Sequence, residues 1–532
     1  MNFNKKLAVA VSSAVLLMVG QVALADSATD IVDALVSKGV LTEEEGKLIT
    51  KGHTSKTAVT PVVKEKDGAF TLESANGNNS IQLTGRMHLD YRNIDSDGIA
   101  AGTTQTAIGN TAFNASDKDT ASSADQYELR RARLGFKGKF AKYFNYEVVG
   151  NLPGTATIDI AYLDFARYDK IQLRVGKFKQ PFGLEQLTSS NNIDFMERSY
   201  VDQVVPGKKL GTMIFGEVTP GVTYAGSAFQ MNDSENDSSS EDMSYAGRTT
   251  VNFAELMGNK EAILHVGLAG YNNSWSVRPT SSSGSGGSST SGTLLSYRTP
   301  GRGLNNIFRA QIQGSNMAAS VQSGASDNTA SADAKAYGLE AIAAYKSFKI
   351  QGEYTRGDYR ARFMDVANIT LDNEAYYGEV LWLVSGENYS SAYKKGTFSS
   401  IKPNKNFDLE NFSGLGAWEL GLRYEAYDVS NGSSAGYTNT AAPAGVGTAT
   451  RFQGSLNCNG TSTNSATNNQ SNCSSGAHTW TAGIKWVINP NVMLKGAYSR
   501  TTYDDAWAHF DLAAGGTMKH EDLLSVRTQF AF

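Results

Sequence analysis

Arg86, Arg131, Arg133, Arg174 and Arg248 come from four separate segments of the chain, yet each falls at the same phase of a two-residue alternation. That phase turns all five to one side of the sheet that carries them. Guanidinium groups gathered this way replace the hydration shell of an oxyanion with charge-assisted hydrogen bonds, and several weak sites in series let an ion both enter and leave. Lys394 and Lys402 add ammonium groups from a basic connection, and an acid such as Asp159 can hold those lysines or accept a hydrogen bond from a protonated phosphate. Asp90, Glu147, Glu340, Glu353, Glu379 and Glu419 share the same face, so the competing account is a pore wall whose charges are merely solvated. His88 and His265 also fall there. Without a nucleophile motif near them they read as pore lining, so the chain is expected to be no enzyme and to need neither cofactor nor metal.

The elements that must carry these residues are strands. Beyond the first two dozen of the 532 residues, no apolar run approaches the ~20 needed for a membrane helix. Alternation is instead pervasive. Ile81, Leu83, Met87, Leu89 and Tyr91 face one way, while Gln82, Thr84, Arg86, His88, Asp90 and Arg92 face the other. The pattern recurs through Leu264, Val266 and Leu268, through Tyr376, Val380 and Trp382, and through Trp480, Ala482, Ile484, Trp486 and Ile488. It predicts sixteen strands, among them 127–140, 170–179, 244–254, 335–346, 374–386 and 477–488. Alternate connections are short, as at Ala141-Lys142, Ser347 and Asn489-Pro490, and the others are long and polar, as at 274–334 and 429–476. Short turns on one rim and long loops on the other, with aromatics near the strand ends, are the signature of an outer-membrane barrel. One connection on the short-turn side, 387–414, is long and basic and breaks the rule. Leu524, Val526, Phe530 and Phe532 alternate to a C-terminal Phe that suits a closing strand. The fold class is thus all-β, a transmembrane antiparallel β-barrel of about 16 strands.

Lys5 and Lys6, the apolar stretch Leu7–Gly20 and the small residues Ala23 and Ala25 read as a signal peptide over 1–25, hence export. Loss of the two lysines takes the net charge from −4 to −6, which offers nothing to nucleic acid. Residues 26–67 read as a short helical extension and linker, with Gly39 stopping one helix and a Thr42–Glu45 capping box starting the next, and 68–532 as the barrel. Cys458 and Cys473, an even pair in one loop of an exported chain, are expected to form a disulfide.

Several stretches resemble the family of phosphate-selective porins O and P: GRMHLDYRNID at 85–95, ELRRARLGFKGKF at 128–140, IQLRVGKFKQPFGLEQLTSSNNIDFMER at 171–198, SSIKPNKNF at 399–407 and GAWELGLRYEAYD at 416–428. The resemblance covers roughly 70–532. It implies a homotrimer of water-filled barrels among the lipid and lipopolysaccharide of a Gram-negative outer membrane, with loops folded inward to bind small anions. It carries a binding role onto Arg86, Arg130, Arg131, Arg198, Lys394 and Lys402, with Asp159 as the facing acid. Gln186 stands where phosphate-selective members have a lysine, and Arg133 and Lys179 occupy nearby positions that tune selectivity. The function expected is diffusion of small anions, phosphate or other oxyanions, through a basic constriction. The alternative, motivated by Gln186 and the negative net charge, is a general or weakly cation-preferring porin without phosphate specificity.

Overall fold

The computed structural model describes residues 32, 34–49, 60–66, 68–96, 123–231, 242–277, 291–302, 307–313, 330–363, 367–408, 410–435, 437–438, 450–458, 461–462, 470–507 and 518–532. The leader expected over 1–25 lies outside them. One compact unit gathers the chain up to Thr84 with Phe136–Tyr146; Gly85–Gly135 and Glu147–Phe532 form the other. In the first, the capping box is present: the Glu45 backbone N–H donates to Thr42 Oγ1 at 3.2 Å, and the Thr42 N–H to Glu45 Oε2 at 2.9 Å. The preceding helical turn ends where Gly39 takes φ 72°, a conformation a glycine adopts without penalty. A hairpin of Val62–Lys66 with Ala69–Glu73 follows, and its second strand pairs with residues 80–82.

Sixteen strands build the barrel: β1 (Ser80–Ser96), β2 (Ser123–Phe140), β3 (Phe144–Asn151), β4 (Thr157–Tyr168), β5 (Ile171–Lys179), β6 (Lys208–Thr219), β7 (Val222–Phe229) and β8 (Ser244–Asn252) come first. They are followed by β9 (Ala262–Val277), β10 (Ala330–Tyr345), β11 (Phe348–Phe363), β12 (Ala367–Leu383), β13 (Ala417–Ala435), β14 (Gln470–Val487), β15 (Val492–Trp507) and β16 (Met518–Ala531). The sheet closes when β16 pairs antiparallel with β1, from Glu521 opposite Ser96 to Ala531 opposite Arg86. The C-terminal Phe532 completes the seam, since it and Gly85 exchange two backbone hydrogen bonds of 3.0 Å. Among the described residues the ring of sixteen strands is thereby closed on itself, which is the condition for a sheet to cross lipid.

The expected alternation is observed. Leu264, Val266 and Leu268 are 44–58% exposed on the outer face while His265 between them is 1% exposed. Near the short-turn rim Trp418 stacks on Trp486 at 4.8 Å and Phe348 on Trp382 at 5.6 Å. Several strands reach further at the long-loop end than alternation showed, β12 beginning at Ala367 and β10 at Ala330. At the other end, the run 244–254 stops at Asn252, because Phe253–Leu256 turns as a helix. Ile488, expected on the outer face, is buried, because β14 stops at Val487 and Ile488 enters the turn to β15.

Strict alternation fails at two places that matter for the lumen. Leu129 and Leu134 of β2 are both exposed outside although five residues apart, so the strand shifts phase between them, as an inserted bulge residue does. Arg130 and Arg131 both meet inner groups as a result. In β5, Gly176 has φ 127°, and a Cβ there would lie 2.2 Å from the Ala161 carbonyl oxygen, so only glycine fits. Beyond it the consecutive residues Phe178 and Lys179 both reach the interior.

The long loops are not all external. Ser291–Tyr297 pairs with Phe308–Gln313, which pairs with Thr450–Cys458, and the first two strands turn apolar side chains inward. The Ser/Gly-rich run before 291 and the side chains of Cys458 and Cys473, with the disulfide expected of them, lie outside the described residues.

Candidate functional site

Between β5 and β6 the chain folds into the barrel as an inner loop, 180–207. It has a short helix, Leu184–Leu187, and a 3₁₀ turn, Tyr200–Val204, so most of its backbone has no regular partner. Its apolar residues Phe182, Leu184, Ile193, Phe195, Met196 and Tyr200 are all buried. Buried backbone groups must be paired, and here side chains of the barrel wall pair them. Glu353 accepts from the N–H groups of Leu184 and Glu185 at 2.8 and 2.7 Å. Glu425 accepts from the Tyr200 N–H at 2.8 Å. Lys495 donates to the carbonyls of Ile193 and Phe195, and Arg527 to that of Met196. Phe195 seats against glycines: a Cβ on Gly421 or Gly483 would come within 2.9 Å of its ring.

Two acids of the loop anchor it. Asp194 pairs with Lys349 at 2.8 Å and Lys485 at 3.2 Å. Glu197 meets four guanidiniums: Arg130 at 2.9 Å, Arg527 at 3.0 Å, Arg92 at 3.2 Å and Arg302 at 3.3 Å. Burial alone would raise the Glu197 pKa, but Arg130, Arg527 and Arg302 outweigh it and hold the carboxyl well below its usual range. An acid depressed on folding stabilises fully above its unfolded pKa of about 4.3, and that contribution is lost only as pH falls through the lower folded value. The Glu197 fastening is therefore expected to hold from pH 8 down to about 5 and to fail only well below the ordinary Glu pKa, a failure read as added current noise in single-channel recording.

Most wall groups holding the loop come from β1, β2, β11 and β13–β16, with Lys179 of β5 and Tyr271 of β9 fastening it from elsewhere. The acids expected to solvate a pore wall mostly do something else. Asp90 pairs with Arg527, Glu379 with Arg423, Glu419 with Lys485 and Glu340 with Arg248, all buried. The two histidines are not pore lining either. His88 lies against Asn191 and Arg131, and His265 sits between Glu340 and Tyr393.

Among the described residues a cavity of about 630 Å³ opens on the β1–β8 side. Arg86, Arg131, Arg133, Arg174, Lys179, Arg198, Lys208, Arg248 and Lys395 line it, against Glu147, Asp159, Asp164 and Glu217. Much of that charge is neutralised locally. Arg174 forks onto Asp164 at 2.7 and 2.8 Å, Lys395 meets Glu217 at 3.3 Å, and Asp159 holds both Arg133 at 3.0 Å and Lys208 at 2.5 Å. Four cations have other partners. Arg86 donates to Ser190 Oγ at 3.0 Å and Ser189 Oγ at 3.4 Å, and Arg131 lies 3.4 Å from His88 Nδ1. Lys179 donates to the carbonyls of Gln186, Leu187 and Thr188 at 2.5–3.1 Å. Arg198 also binds carbonyls, those of Glu185 and Thr188, and stands 3.6 Å from Asp202.

The structure thus brings Arg86, Arg131, Arg133, Asp159, Lys179 and Arg198 together and leaves four expected residues aside. Arg130 is taken up by Glu197. The Gln186 side chain is buried; its backbone carbonyl receives the Lys179 ammonium, so a lysine charge does reach this point of the loop. Lys394 and Lys402 are exposed and do not line the cavity, and Asp159 holds Arg133 and Lys208 where those lysines were expected. The long basic connection nevertheless enters the lumen, as a hairpin of Tyr393–Lys394 with Thr397–Phe398 fixed by Arg248, which donates to the Gly396 carbonyl. Its left-handed tip presents Lys395, one residue from the position expected. Lys208, first residue of β6, was missed because alternation carries no sign of it so near a strand end.

Because Asp159 neutralises two cations, Asp159→Asn is expected to raise chloride conductance roughly twofold at low salt, and less at 1 M where charges are screened. Single-channel recording at the two salt concentrations checks this.

The family model for phosphate-selective porins O and P matches residues 99–532. Porin O of Pseudomonas aeruginosa is 23% identical over 459 residues, covering 83% of this chain and 87% of that protein. Among solved structures, OmpT of Vibrio cholerae aligns with a TM-score of 0.45 at 7% identity, covering 86% of this chain and 98% of that one. The anion-selective porin from Comamonas acidovorans aligns with a TM-score of 0.42 at 10% identity, covering 85% of this chain and 100% of that one. With the family match running over most of the barrel to its last residue, this chain belongs to the phosphate-selective porin O and P family and forms a channel of the outer membrane.

Proposed function

We propose that the channel conducts small anions, phosphate and other oxyanions among them, through the cavity between the inner loop and β1–β8. The observation that carries this reading is the set of partners around Arg86, Arg131 and Lys179. They are hydroxyls, an imidazole and carbonyls, so among the described residues no carboxylate takes up these cations at hydrogen-bond distance. Glu147 is the opposing acid, and it accepts from the Tyr162 hydroxyl at 2.7 Å. Hydroxyl-bearing Ser189 and Ser190 beside Arg86 add hydrogen-bonding groups for an oxyanion. Purified protein in a planar bilayer under a potassium chloride gradient tests the proposal: the reversal potential is expected to show chloride preference, and cation preference overturns it in favour of a general porin. Half-maximal block of the chloride current by inorganic phosphate then measures the oxyanion site.

Assembly as a homotrimer in contact with outer-membrane lipid and lipopolysaccharide belongs to the same proposal, as do a leader over 1–25 and a helical segment with its linker over 26–67, the linker ending in the strand Val62–Lys66. The continuous outer band of exposed Leu, Val and Ile supports burial against lipid or neighbouring subunits. Light scattering of the detergent-solubilised protein checks the stoichiometry.

A further inference from the structure

The cavity has two unlike sides. Arg86 and Arg131, with the serines of the inner loop, make a polar side. Across from them stand Tyr162 on β4 and Met213 and Phe215 on β6, with Arg174 of β5 between the strands and Met213 directly opposite it in register. Arg174 does not make that wall an anion site. Its Nε and Nη2 are both held by Asp164, and its guanidinium carbon Cζ lies 3.8 Å from the Tyr162 ring centre and 5.2 Å from that of Phe215. The group acts there as a flat spacer that joins two rings into one surface. The Tyr162 hydroxyl is engaged by Glu147, which fixes the ring, and Ile160 adds aliphatic surface.

A bare oxyanion gains nothing from the rings and the thioether of such a wall, which take the place of water without offering donors. An anion with an apolar body uses both sides. The volume of about 630 Å³ falls within the ~300–1,000 Å³ of sites that enclose small organic ligands.

Building on the anion-porin reading, we propose that the cavity selects amphipathic organic anions: a phosphate or carboxylate headgroup held at Arg86 and Arg131, and an aryl or short alkyl body laid against Tyr162, Met213 and Phe215. The wall and the basic side together define the substrate class, and inorganic phosphate occupies only the polar half.

The test compares phenylphosphate with inorganic phosphate as blockers of chloride current through the purified channel, at a pH where both are dianions. Headgroup and charge are then matched and only the ring differs. Phenylphosphate is expected to reach half block at about tenfold lower concentration, the gain one stacked ring supplies. Phe215→Ala, or Ile160→Ser should the first variant not migrate as a folded barrel, is expected to bring the two half-blocking concentrations together. Equal block of the native channel by both ions overturns this inference and leaves the anion porin standing. A retained tenfold advantage in both variants overturns the assignment of the wall. Cation preference in the reversal potential overturns the anion reading itself, and this inference with it.

Discussion

Glu197→Ala is expected to release the inner loop, with a fall in the thermal stability of the folded barrel and a rise in single-channel conductance and open-channel noise. Glu197 sits among Arg92, Arg130, Arg302 and Arg527, and among the described residues Asp90 and Glu128 share the compensation. Removing it leaves four buried or half-buried guanidiniums facing two carboxylates. Stranding one partner of a buried pair costs about 3–5 kcal/mol, and here several partners are stranded at once. The strand ladder itself is untouched, so the barrel should still assemble, which separates loss of the loop from loss of the fold. Glu197→Asp keeps the charge and should recover part of the stability. A Glu197→Ala channel with native conductance, noise and thermal transition would show that the loop is held by its apolar seats alone.

Arg86→Glu is the second large expected effect. It places a carboxylate beside Ser189 and Ser190 in a passage that already holds Glu147. Reversing one charge close to an ion's path changes its energy by on the order of 1.4 kcal/mol or more, so chloride preference should fall about tenfold or invert. Reversal potentials measure this directly. Lys394→Ala is expected to leave the preference within about twofold, since Lys394 is exposed outside the cavity while its neighbour Lys395 lines it. If Lys394→Ala had the larger effect, the family-based placement of the basic connection would be right and the cavity described above would not be the selective one.

The barrel was legible because lipid imposes one rule on every strand, and residues such as Leu264, Val266 and Leu268 obey it without exception. The lumen was less legible because its side chains answer to partners distant in sequence. Alternation identified Glu379 and Glu419 as inward, but nothing local told that each lies buried beside Arg423 or Lys485 and not in water. Arg130 and Arg131 defeat any strict period, since the phase shift between Leu129 and Leu134 is a backbone event with no compositional mark. Gly176 was the visible trace of a similar irregularity, and a lone strand glycine on a buried face is a signal that could have been read. The length and basic charge of the 387–414 connection were visible and its inward folding was implied by the family resemblance, but its left-handed tip, which selects Lys395 over Lys394, follows from turn geometry.

Arg527 has a further meaning for the order in which the molecule is made. It lies on β16, the last strand, and reaches both Asp90 of β1, the first, and the inner loop at Met196 and Glu197. The loop is synthesised less than halfway through the chain, yet its fastenings on β11 to β16 arrive afterwards and the last of them only when the seam shuts. The passage therefore acquires its final width at the moment of closure. A chain stalled before that step holds an unfastened loop, and the state competent to discriminate between ions is reached only by a barrel that has finished folding.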